Sequence, residues 1–499
     1  MKKILSTIST LSVLLTVNAQ YEFSSFTATG RGGATTFVTD YQAVGINPAN
    51  LGWQYKFDDK TFAFGLLEMT YSVRSEALNK DGLKSIYRSS IGEEPPFTYD
   101  QKIQAAKDFT GAGFAINMDF STLGMAYHDE KVGGFGFRVN DRIHSWVKLG
   151  QPASEILFLG YTAPYFDQYT LRNGDIMSAQ DYESTYGYED GVYNSDTDTL
   201  AIVTGTSLNP KYISELMKGS ELQMSWYREY NLSYGRKILD LEEKFQLSIG
   251  AGVKYLQGFG LVDIYEENGN IIAYSSMSPI FGIDYGTAAL SNPSTVEQTG
   301  KMPVSVGKGW GFDFGVSALI AEKLKLGFAL TNIGSITWDG NVYTVQDTIM
   351  YETDNAGLES YNIFEQLGEI TSNDGLFKWN GLETKTVQLP TMYRMGASIE
   401  LGEKAEIGVD VLFPGNEVPG NFEGAIIGFG GDVRLLKWMK ISAGFLSSKN
   451  YGTQIPLGLT LGPESGSYEF GIASRDAVSF FKDEGSTLSL AIGFLRFRI

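Results

Sequence analysis

Few residues in this 499-residue chain could do chemistry. It contains two histidines, His128 and His144, and no cysteine. Without cysteine there is no disulfide scaffold, no cysteine nucleophile and no Cys-ligated zinc, and two histidines leave little for a histidine-based metal site. A histidine paired with a carboxylate, as in barrel proteases and lipases, is one interpretation of His128 and His144, and polar residues at strand ends are the other. Neither a Gly-x-Ser-x-Gly elbow nor a Walker phosphate loop is present, so we expect no enzyme.

An acidic run is the second candidate for chemistry. It extends from Asn194 to Thr199 and contains Asp196 and Asp198. Closely spaced carboxylate and hydroxyl oxygens are ligands that Ca²⁺ takes, which makes Asp196 and Asp198 weak calcium candidates. The run lacks the loop glycine and the distal glutamate of an EF-hand, so a solvated acidic loop is the simpler interpretation. We expect no other cofactor.

Composition and charge narrow the class of protein. The chain has 58 glycines, 31 Phe, 28 Tyr and 7 Trp, with 39 basic and 58 acidic residues for a net charge of −19. This acidity excludes a nucleic-acid partner bound through a basic surface. Many glycines and aromatics with few charges favour extended β-structure over helix bundles.

Residues 1–19 are predicted to be a signal peptide. Lys2 and Lys3 precede an apolar run diluted by Ser and Thr, and small residues end at Ala19 before Gln20. This order predicts export with cleavage between Ala19 and Gln20, and an N-terminal anchor helix is the alternative. No later stretch approaches eighteen continuous apolar residues, so we expect a membrane to hold the mature chain, if at all, by strands.

Alternating strands dominate the second half of the chain. In residues 245–255, Phe, Leu, Ile, Ala, Val and Tyr alternate with Gln, Ser, Gly and Lys, and residues 309–318 and 324–331 repeat the pattern. A period of two predicts strands with one apolar face and one face of polar residues or glycine. The last strand, near residues 486–499, changes face at Phe494 or Leu495, which predicts a bulge there.

The connections alternate in length. Fourteen strands are predicted, with short turns on one side and four long insertions on the other. The insertions are residues 74–112 (with short helices at 77–88 and 99–108), 147–222, 258–307 and 340–389. This is the plan of an all-β transmembrane antiparallel β-barrel of the bacterial outer membrane, here residues 54–499. A β-propeller would repeat a blade of about forty residues, and a β-sandwich would not sort loop lengths by side.

Five aromatic residues fall near the ends of these predicted strands. They are Tyr71, Trp146, Trp226, Trp310 and Trp438. In a transmembrane barrel, aromatic girdles lie at the two membrane interfaces. The sequence therefore suggests a girdle, although ordinary strand-end aromatics explain these positions almost as well.

Residues 20–53 precede the first strand and are not strand-like. They contain Gly30, Gly32 and Gly33, then Asp40, and later the sequence Asn47-Pro48-Ala49. Glycines permit positive φ, and Asn-Pro marks a turn. Because a fourteen-stranded barrel is too wide for its own side chains to fill, we expect this segment to lie in the lumen as a plug.

These residues resemble the start of the long-chain fatty-acid transporter family, the FadL/TodX-like outer-membrane barrels. The likeness consists of the glycine-rich start, Asp40, the Asn-Pro-Ala-x-Leu sequence from Asn47 to Leu51, the strand count, and the phrases at 309–315 and 330–334. It implies a hatch that contains Gly30, Gly32, Gly33, Asp40, Asn47, Pro48 and Ala49.

The resemblance also implies a function and its partners. The chain would sit in the outer-membrane lipid of a Gram-negative bacterium and admit hydrophobic, fatty-acid-like small molecules passively past the hatch. The alternative is a non-transporting scaffold or binding barrel, such as a partner of a surface secretion system, because similar barrels also serve type IX secretion. The substrate-binding residues stay open.

Overall fold

Fourteen antiparallel strands form a closed barrel in the computed structural model. The model describes residues 26–36, 38–53, 61–90, 93, 95–189, 191–241, 244–361, 377–402, 404–418, 421–422, 424–449, 452–480 and 487–499. The barrel strands are β1 (Phe62–Ser75), β2 (Gly113–Asp129), β3 (Gly133–Lys148), β4 (Glu221–Asp240), β5 (Phe245–Glu267), β6 (Gly307–Ile320), β7 (Leu324–Trp338), β8 (Met392–Leu401), β9 (Ala405–Pro414), β10 (Ile426–Leu436), β11 (Met439–Ser448), β12 (Leu457–Leu461), β13 (Tyr468–Ser474) and β14 (Thr487–Arg498). Each strand pairs with its neighbours in sequence, and β1 pairs with β14 to close the wall. The predicted fold class and strand count are confirmed.

The two faces of the wall follow the predicted alternation. Trp310, Phe312, Phe314 and Val316 of β6 are exposed on the outside, and the side chain of Asp313 between them is fully buried inside. Exposed apolar side chains continue around the wall on β7 to β11. An outer face of this kind requires lipid rather than water, so the barrel is a transmembrane one.

Loop lengths sort by side as predicted. The short turns, such as those between β6 and β7 and between β10 and β11, lie at what we call the inner end, and the long insertions lie at the outer end. In β14, Glu469 pairs with Arg496 while Gly471 pairs with Gly493, so one extra residue stands at Phe494–Leu495. The predicted bulge is confirmed.

The third insertion differs from the prediction of 258–307. Strand β5 continues through Gly258 to Glu267 and returns as a further strand, Asn270–Met277. A bulge at Phe259 shifts the pairing with β4, and residues 258–264 are buried on both faces. The alternation therefore disappears from the sequence although the strand does not end.

The insertions fold into a compact body that we call the outer unit. Its helices are Lys80–Ser90, Tyr99–Phe109, Gln151–Leu159, Ala179–Thr185, Ile213–Leu216 and Thr287–Leu290, with 3₁₀ turns at Gly160–Thr162 and Pro279–Phe281. Its strands outside the wall are Gln168–Leu171, Ile176–Ser178, Ile202–Tyr212, Val342–Val345, Ile349–Thr353, Trp379–Gly381 and Lys385–Gln388. The first three and Ile349–Thr353 form a separate four-stranded sheet. The two helices of the first insertion match the prediction to within three residues.

The outer unit has its own hydrophobic core. Phe109, Phe158 and Tyr169 pack in it with Val147 and Leu222, which are side chains of β3 and β4. Val147 and Leu222 pair with each other, and the inward-facing pair Trp146 and Gln223 stands next to them, so the unit packs against the outside of the wall at its outer end. The four insertions are thus ordered structure.

The remaining elements are short. Helix Phe26–Thr29 and the 3₁₀ turns Asp40–Ala43 and Pro48–Gly52 lie before β1, strand Gly452–Gln454 lies before β12, and the 3₁₀ turn Val478–Phe480 lies before β14. None of the helices in the described ranges is both long and apolar enough to span a membrane. The predicted signal peptide, with its cleavage point at Ala19–Gln20, lies outside the described residues.

Candidate functional site in the barrel lumen

Thirteen glycines on the inner face of the wall lie against the N-terminal segment, residues 26–36 and 38–53. A Cβ on any of these inward glycines would come within 3 Å of the segment: Gly65, Gly124, Gly134, Gly136, Gly235, Gly250, Gly315, Gly396, Gly428, Gly430, Gly444, Gly471 and Gly493. They stand on eleven of the fourteen strands. Nearly every described residue of the segment is buried. The segment therefore contacts the inner face of the wall around most of its circumference.

The Asn-Pro-Ala sequence packs against β5 and β6. Asn47 caps the turn Pro48–Gly52, because its side chain accepts a hydrogen bond from the Ala49 backbone N–H at 3.1 Å. Its Nδ2 donates to Ser317 Oγ at 3.1 Å. A Cβ at Gly250 would meet the Pro48 carbonyl carbon at 2.3 Å. The turn predicted from Asn-Pro is present, and its backbone lies directly against Gly250 of β5.

The glycine-rich start serves two different needs. Gly32 and Gly33 adopt positive φ values of 67° and 78°, which glycine reaches without strain. Gly30 instead approaches the backbone of β12, where its Cβ would lie 2.9 Å from Gly458 Cα. Next to them, Arg31 forms an ion pair with Asp432.

Asp40 holds the segment to the last strand. Its Oδ2 lies 2.5 Å from Arg496 Nη2 and 3.0 Å from Arg498 Nη2. Asp40 has a φ of 52°, a left-handed conformation that Asp tolerates better than most residues. The adjacent Tyr41 donates to Glu68 Oε1 of β1 at 2.5 Å. Burial, with help from the Glu68 charge, raises the pKa of the Tyr41 phenol well above its usual value, so Tyr41 remains a donor.

A cavity of about 500 Å³ lies between the segment and the inner end of the barrel. Charged side chains line it, among them Arg31, Lys325, Glu406, Glu469 and Arg498. Lys325 Nζ lies 2.9 Å from Glu406 Oε1 and 3.1 Å from Glu400 Oε1. The inner end of the lumen is therefore a polar space.

A charged layer crosses the lumen on the outer side of the segment. Lys254 Nζ lies 3.1 Å from Asp313 Oδ1 and 3.9 Å from Glu229 Oε2, and Arg142 pairs with Glu229. All four side chains are at most 1% exposed. Asn231 donates to Asp313 at 3.1 Å and Asn140 to Glu229 at 3.1 Å. Buried charges persist only when paired and hydrogen-bonded in this way.

An apolar pocket, the outer pocket, lies beyond the charged layer toward the outer end. Its lining includes Trp146, Leu261, Ile336, Trp338 and Leu389. Tyr227 belongs to the same hydrophobic cluster and lies near the charge of Arg142. The cavity measures about 40 Å³. From the outer end to the inner end, the lumen thus contains the apolar outer pocket, the charged layer and the N-terminal segment.

The two histidines are held apart in this architecture. His128 Nδ1 lies 3.0 Å from the Leu51 carbonyl at the inner end. His144 Nδ1 lies 2.8 Å from Asn117 Oδ1 and lines the outer pocket. Each histidine has a structural partner, and the two do not share a site.

The calcium candidates lie on the surface of the outer unit. Asp196 has a fully exposed side chain with Arg172 at 3.9 Å. Asp198 Oδ1 accepts from the Leu200 backbone N–H at 2.8 Å. Within the described ranges, no group of three His, Asp or Glu side chains has metal-binding geometry. The calcium site remains a prediction.

One of the aromatics suggested as a membrane girdle points the other way. Trp146 faces inward over Gly113, where a Cβ would meet its ring at 2.1 Å, and its Nε1 donates to Glu221 at 3.0 Å. Trp310 and Trp438 are exposed on the outer surface as expected. Trp146, Arg142 and His144 are two residues apart along β3 and therefore share its inner face, as the sequence spacing alone indicates.

The sequence did not reveal the charged layer or the outer pocket. Arg142 and Glu229 are far apart in sequence, and only the pairing of β3 with β4 brings them together. The signal present was a lumen-facing Lys254 and Asp313 in otherwise glycine- and serine-rich strand faces. Bulges at Phe259 and Asn332, next to this pocket, shift the faces of β5 and β7.

The fold and the lumen define a transmembrane β-barrel with a luminal N-terminal segment. Residues 190–467, more than half of the chain, match a family of unknown function, DUF5723, and the chain belongs to that family. None of the curated protein sequences matches the chain.

Several solved barrels are similar to it. A deletion mutant of the monoaromatic hydrocarbon channel TodX of Pseudomonas putida is 9% identical, with 96% of this chain and 98% of that chain covered and a TM-score of 0.45. A FadL homologue of Pseudomonas aeruginosa is 12% identical (96% and 97% covered, TM-score 0.40), and the toluene transporter TbuX of Ralstonia pickettii is 12% identical (96% and 98%, TM-score 0.41). With values this low, the closed barrel of this chain rests on its own strand pairing.

Proposed function

We propose that this chain is a passive channel for hydrophobic small molecules in the outer membrane of a Gram-negative bacterium. The outer pocket carries this proposal, because it is an apolar site inside the lumen on the side of the long insertions. Aromatic and aliphatic side chains there supply affinity through buried area. The N-terminal segment acts as the hatch that the molecule must pass.

The hatch role is supported by the way the segment is attached. Its contacts with the wall are side-chain hydrogen bonds and ion pairs, such as Asn47 with Ser317 and Asp40 with Arg496. A neutral hydrogen bond contributes about 1 kcal/mol net, and breaking a buried ion pair from one side costs about 3–5 kcal/mol. A local displacement of the segment therefore costs far less than its complete release. Movement of Gly30–Gly33 and Asn47–Ala49 would open the path.

Passage also has to overcome the charged layer. The layer contains two cations and two anions, Arg142, Lys254, Glu229 and Asp313. An apolar molecule cannot replace the partners of these charges, so the layer must stay paired while the molecule passes. We expect uptake to be slow and selective compared with an open pore.

A scaffold barrel is the second candidate, and the outer unit favours it. The insertions form a folded body with its own core and a separate sheet, and the lumen is filled at three levels. A barrel of this kind could present its outer unit to a secretion-system protein and transport nothing.

Entry of a hydrophobic probe separates the two functions. Cells that display the full chain are mixed with 1-N-phenylnaphthylamine, whose fluorescence rises in the inner membrane, and are compared with cells that lack it. A saturable increase in entry rate supports the channel. An entry rate equal to that of the empty cells supports the scaffold and removes the channel.

A further inference from the structure

The outer pocket contains two buried polar atoms without a hydrogen-bond partner among the described residues. They are Trp338 Nε1, a donor, and Gln223 Oε1, an acceptor. Trp338 is 2% exposed and Gln223 is 6% exposed, and both residues line the cavity. Buried polar groups in folded proteins are nearly always paired with protein atoms or with water, so an unpaired donor and acceptor at one cavity call for a polar partner from outside the chain.

The orientation of Trp338 is determined by the wall. Its Cζ3 and Cε3 edge lies against Gly258 and Gly307, where a Cβ would meet it at 2.5 and 2.9 Å. The indole nitrogen is on the opposite edge of the ring, away from these two glycines. The N–H therefore points away from these two glycines of β5 and β6, in a residue that lines the cavity.

The orientation of Gln223 is determined by Asp263. The two residues are direct partners across β4 and β5, and the Gln223 side chain hydrogen-bonds to the Asp263 carboxylate. A carboxylate accepts hydrogen bonds, so the amide nitrogen of Gln223 faces Asp263 and the amide oxygen is left over.

We propose that the outer pocket recognises the hydroxyl group of an uncharged amphipathic molecule, such as an aliphatic or aromatic alcohol. The hydroxyl oxygen accepts from Trp338 Nε1, and the hydroxyl proton is donated to Gln223 Oε1. A hydroxyl is a small group that does both. This inference rests on the proposed uptake function and names its substrate class.

Charge and size exclude the obvious alternatives. A carboxylate has no proton for Gln223 Oε1 and would lie near the Asp263 charge. An ammonium group cannot accept from Trp338. The cavity of about 40 Å³ has room for roughly three water-sized groups, so it holds the polar end of the molecule while the apolar remainder contacts Leu261, Ile336 and Leu389.

The test compares three ligands that differ only in their end group. The full chain in lipid nanodiscs is titrated calorimetrically with 1-hexanol, hexane and hexanoate, with empty nanodiscs subtracted. We expect 1-hexanol to bind at least tenfold more tightly than the other two, because a site that hydrogen-bonds a hydroxyl rejects an analogue without it. Equal binding of hexane and 1-hexanol would overturn the inference.

Two variants assign the effect to the named atoms. Trp338→Phe keeps a ring against Gly258 and removes the N–H, and Gln223→Met keeps the side-chain length and removes the acceptor. Each should abolish the advantage of 1-hexanol over hexane measured with the same variant. If both variants keep the advantage, the assignment is wrong. Probe entry by the wild-type chain is measured in parallel, so that failure of transport is distinguished from failure of hydroxyl recognition.

Discussion

Asp40 Oδ2 lies 2.5 Å from Nη2 of Arg496, a residue 456 positions later in the chain. Arg496 stands on β14, whose pairing with β1 closes the barrel. Tyr41, next to Asp40, donates to Glu68 on β1. The N-terminal segment therefore bridges the closing seam from inside, and its removal would affect the wall as well as the lumen.

Asp40→Asn should weaken the barrel. The substitution removes the charge shared by Arg496 and Arg498 and leaves both guanidinium groups with fewer anionic partners. Breaking a buried ion pair from one side costs about 3–5 kcal/mol, at the lower end here because Asp40 is slightly exposed. The measurement is the temperature at which the folded band converts to the unfolded band on a semi-native gel.

Asp81→Asn is the matched control for that variant. Asp81 pairs with Lys84 at 3.1 Å, but its side chain is 80% exposed, and exposed pairs contribute little. Its transition temperature should equal that of the wild type. An equal fall in the transition temperature of both variants would show that the contact between Asp40 and Arg496 has no special role.

Gly250→Val should displace the N-terminal segment. A Cβ at this position would lie 2.3–2.5 Å from backbone atoms of Pro48 and Ala49, which cannot rotate away. Other inward positions of β5 carry side chains, such as Ser248 and Lys254. We expect a folded barrel with raised ion conductance in planar bilayers, and we expect Gly300→Val, at a loop glycine with open space around it, to conduct like the wild type. If the Gly250→Val barrel conducts no more than the wild type, the N-terminal segment does not seal the lumen.

The sequence predicted the barrel well because strand periodicity is a local property. Residues 245–255 alternate whether or not their partners are known, and the turn at Pro48 follows from Asn47 alone. The luminal layers could not be predicted in the same way. Lys254 is only one lysine in a strand until β6 brings Asp313 to it, and the register of β5 with β6 cannot be read from either strand.

The outer unit was harder to predict for a related reason. Where it covers the wall, both faces of β5 are buried and the period of two vanishes between Gly258 and Ile264. The predicted helix 99–108 has a local cause in the structure, because Thr98 and Gln101 form a capping box at its start. Its packing against Phe158 depends on residues nearly fifty positions away.

Lys254→Met should cost more stability alone than together with Asp313→Leu. The single change leaves Asp313 buried beside Asn231 and Asn332 without a nearby cation, which costs about 3–5 kcal/mol. The double change removes both charges and replaces them with apolar side chains of similar shape. Urea unfolding in detergent measures both, and Arg142 with Glu229 remains intact in each. A double variant less stable than the single one would contradict the ionic account of the layer.

The outer unit should lose stability at alkaline pH before the barrel does. Burial raises the pKa of Tyr169 to about 12 and that of the neighbouring Tyr188 still further. A pKa raised on folding contributes stability that is complete below pH 10, the unfolded value, and is lost as the pH rises toward 12. Tyrosinate absorbance at 295 nm should rise together with proteolysis of the insertions over this range. Tyr188→Phe should make the transition shallower, and a pH-independent cleavage pattern would contradict the account.

Locking the N-terminal segment to the wall tests the channel most directly. A Cβ at Gly315 lies 3.0 Å from Asn47 Cγ, so Asn47→Cys with Gly315→Cys places two thiols within reach of a disulfide in a chain that has no other cysteine. Entry of 1-N-phenylnaphthylamine into cells is measured before and after reduction, with Gly315→Cys alone as the control. The account predicts that oxidation stops the saturable entry of the double variant and that reduction restores it. Equal entry in the oxidised and reduced states would show that hydrophobic molecules do not pass by a movement of this segment.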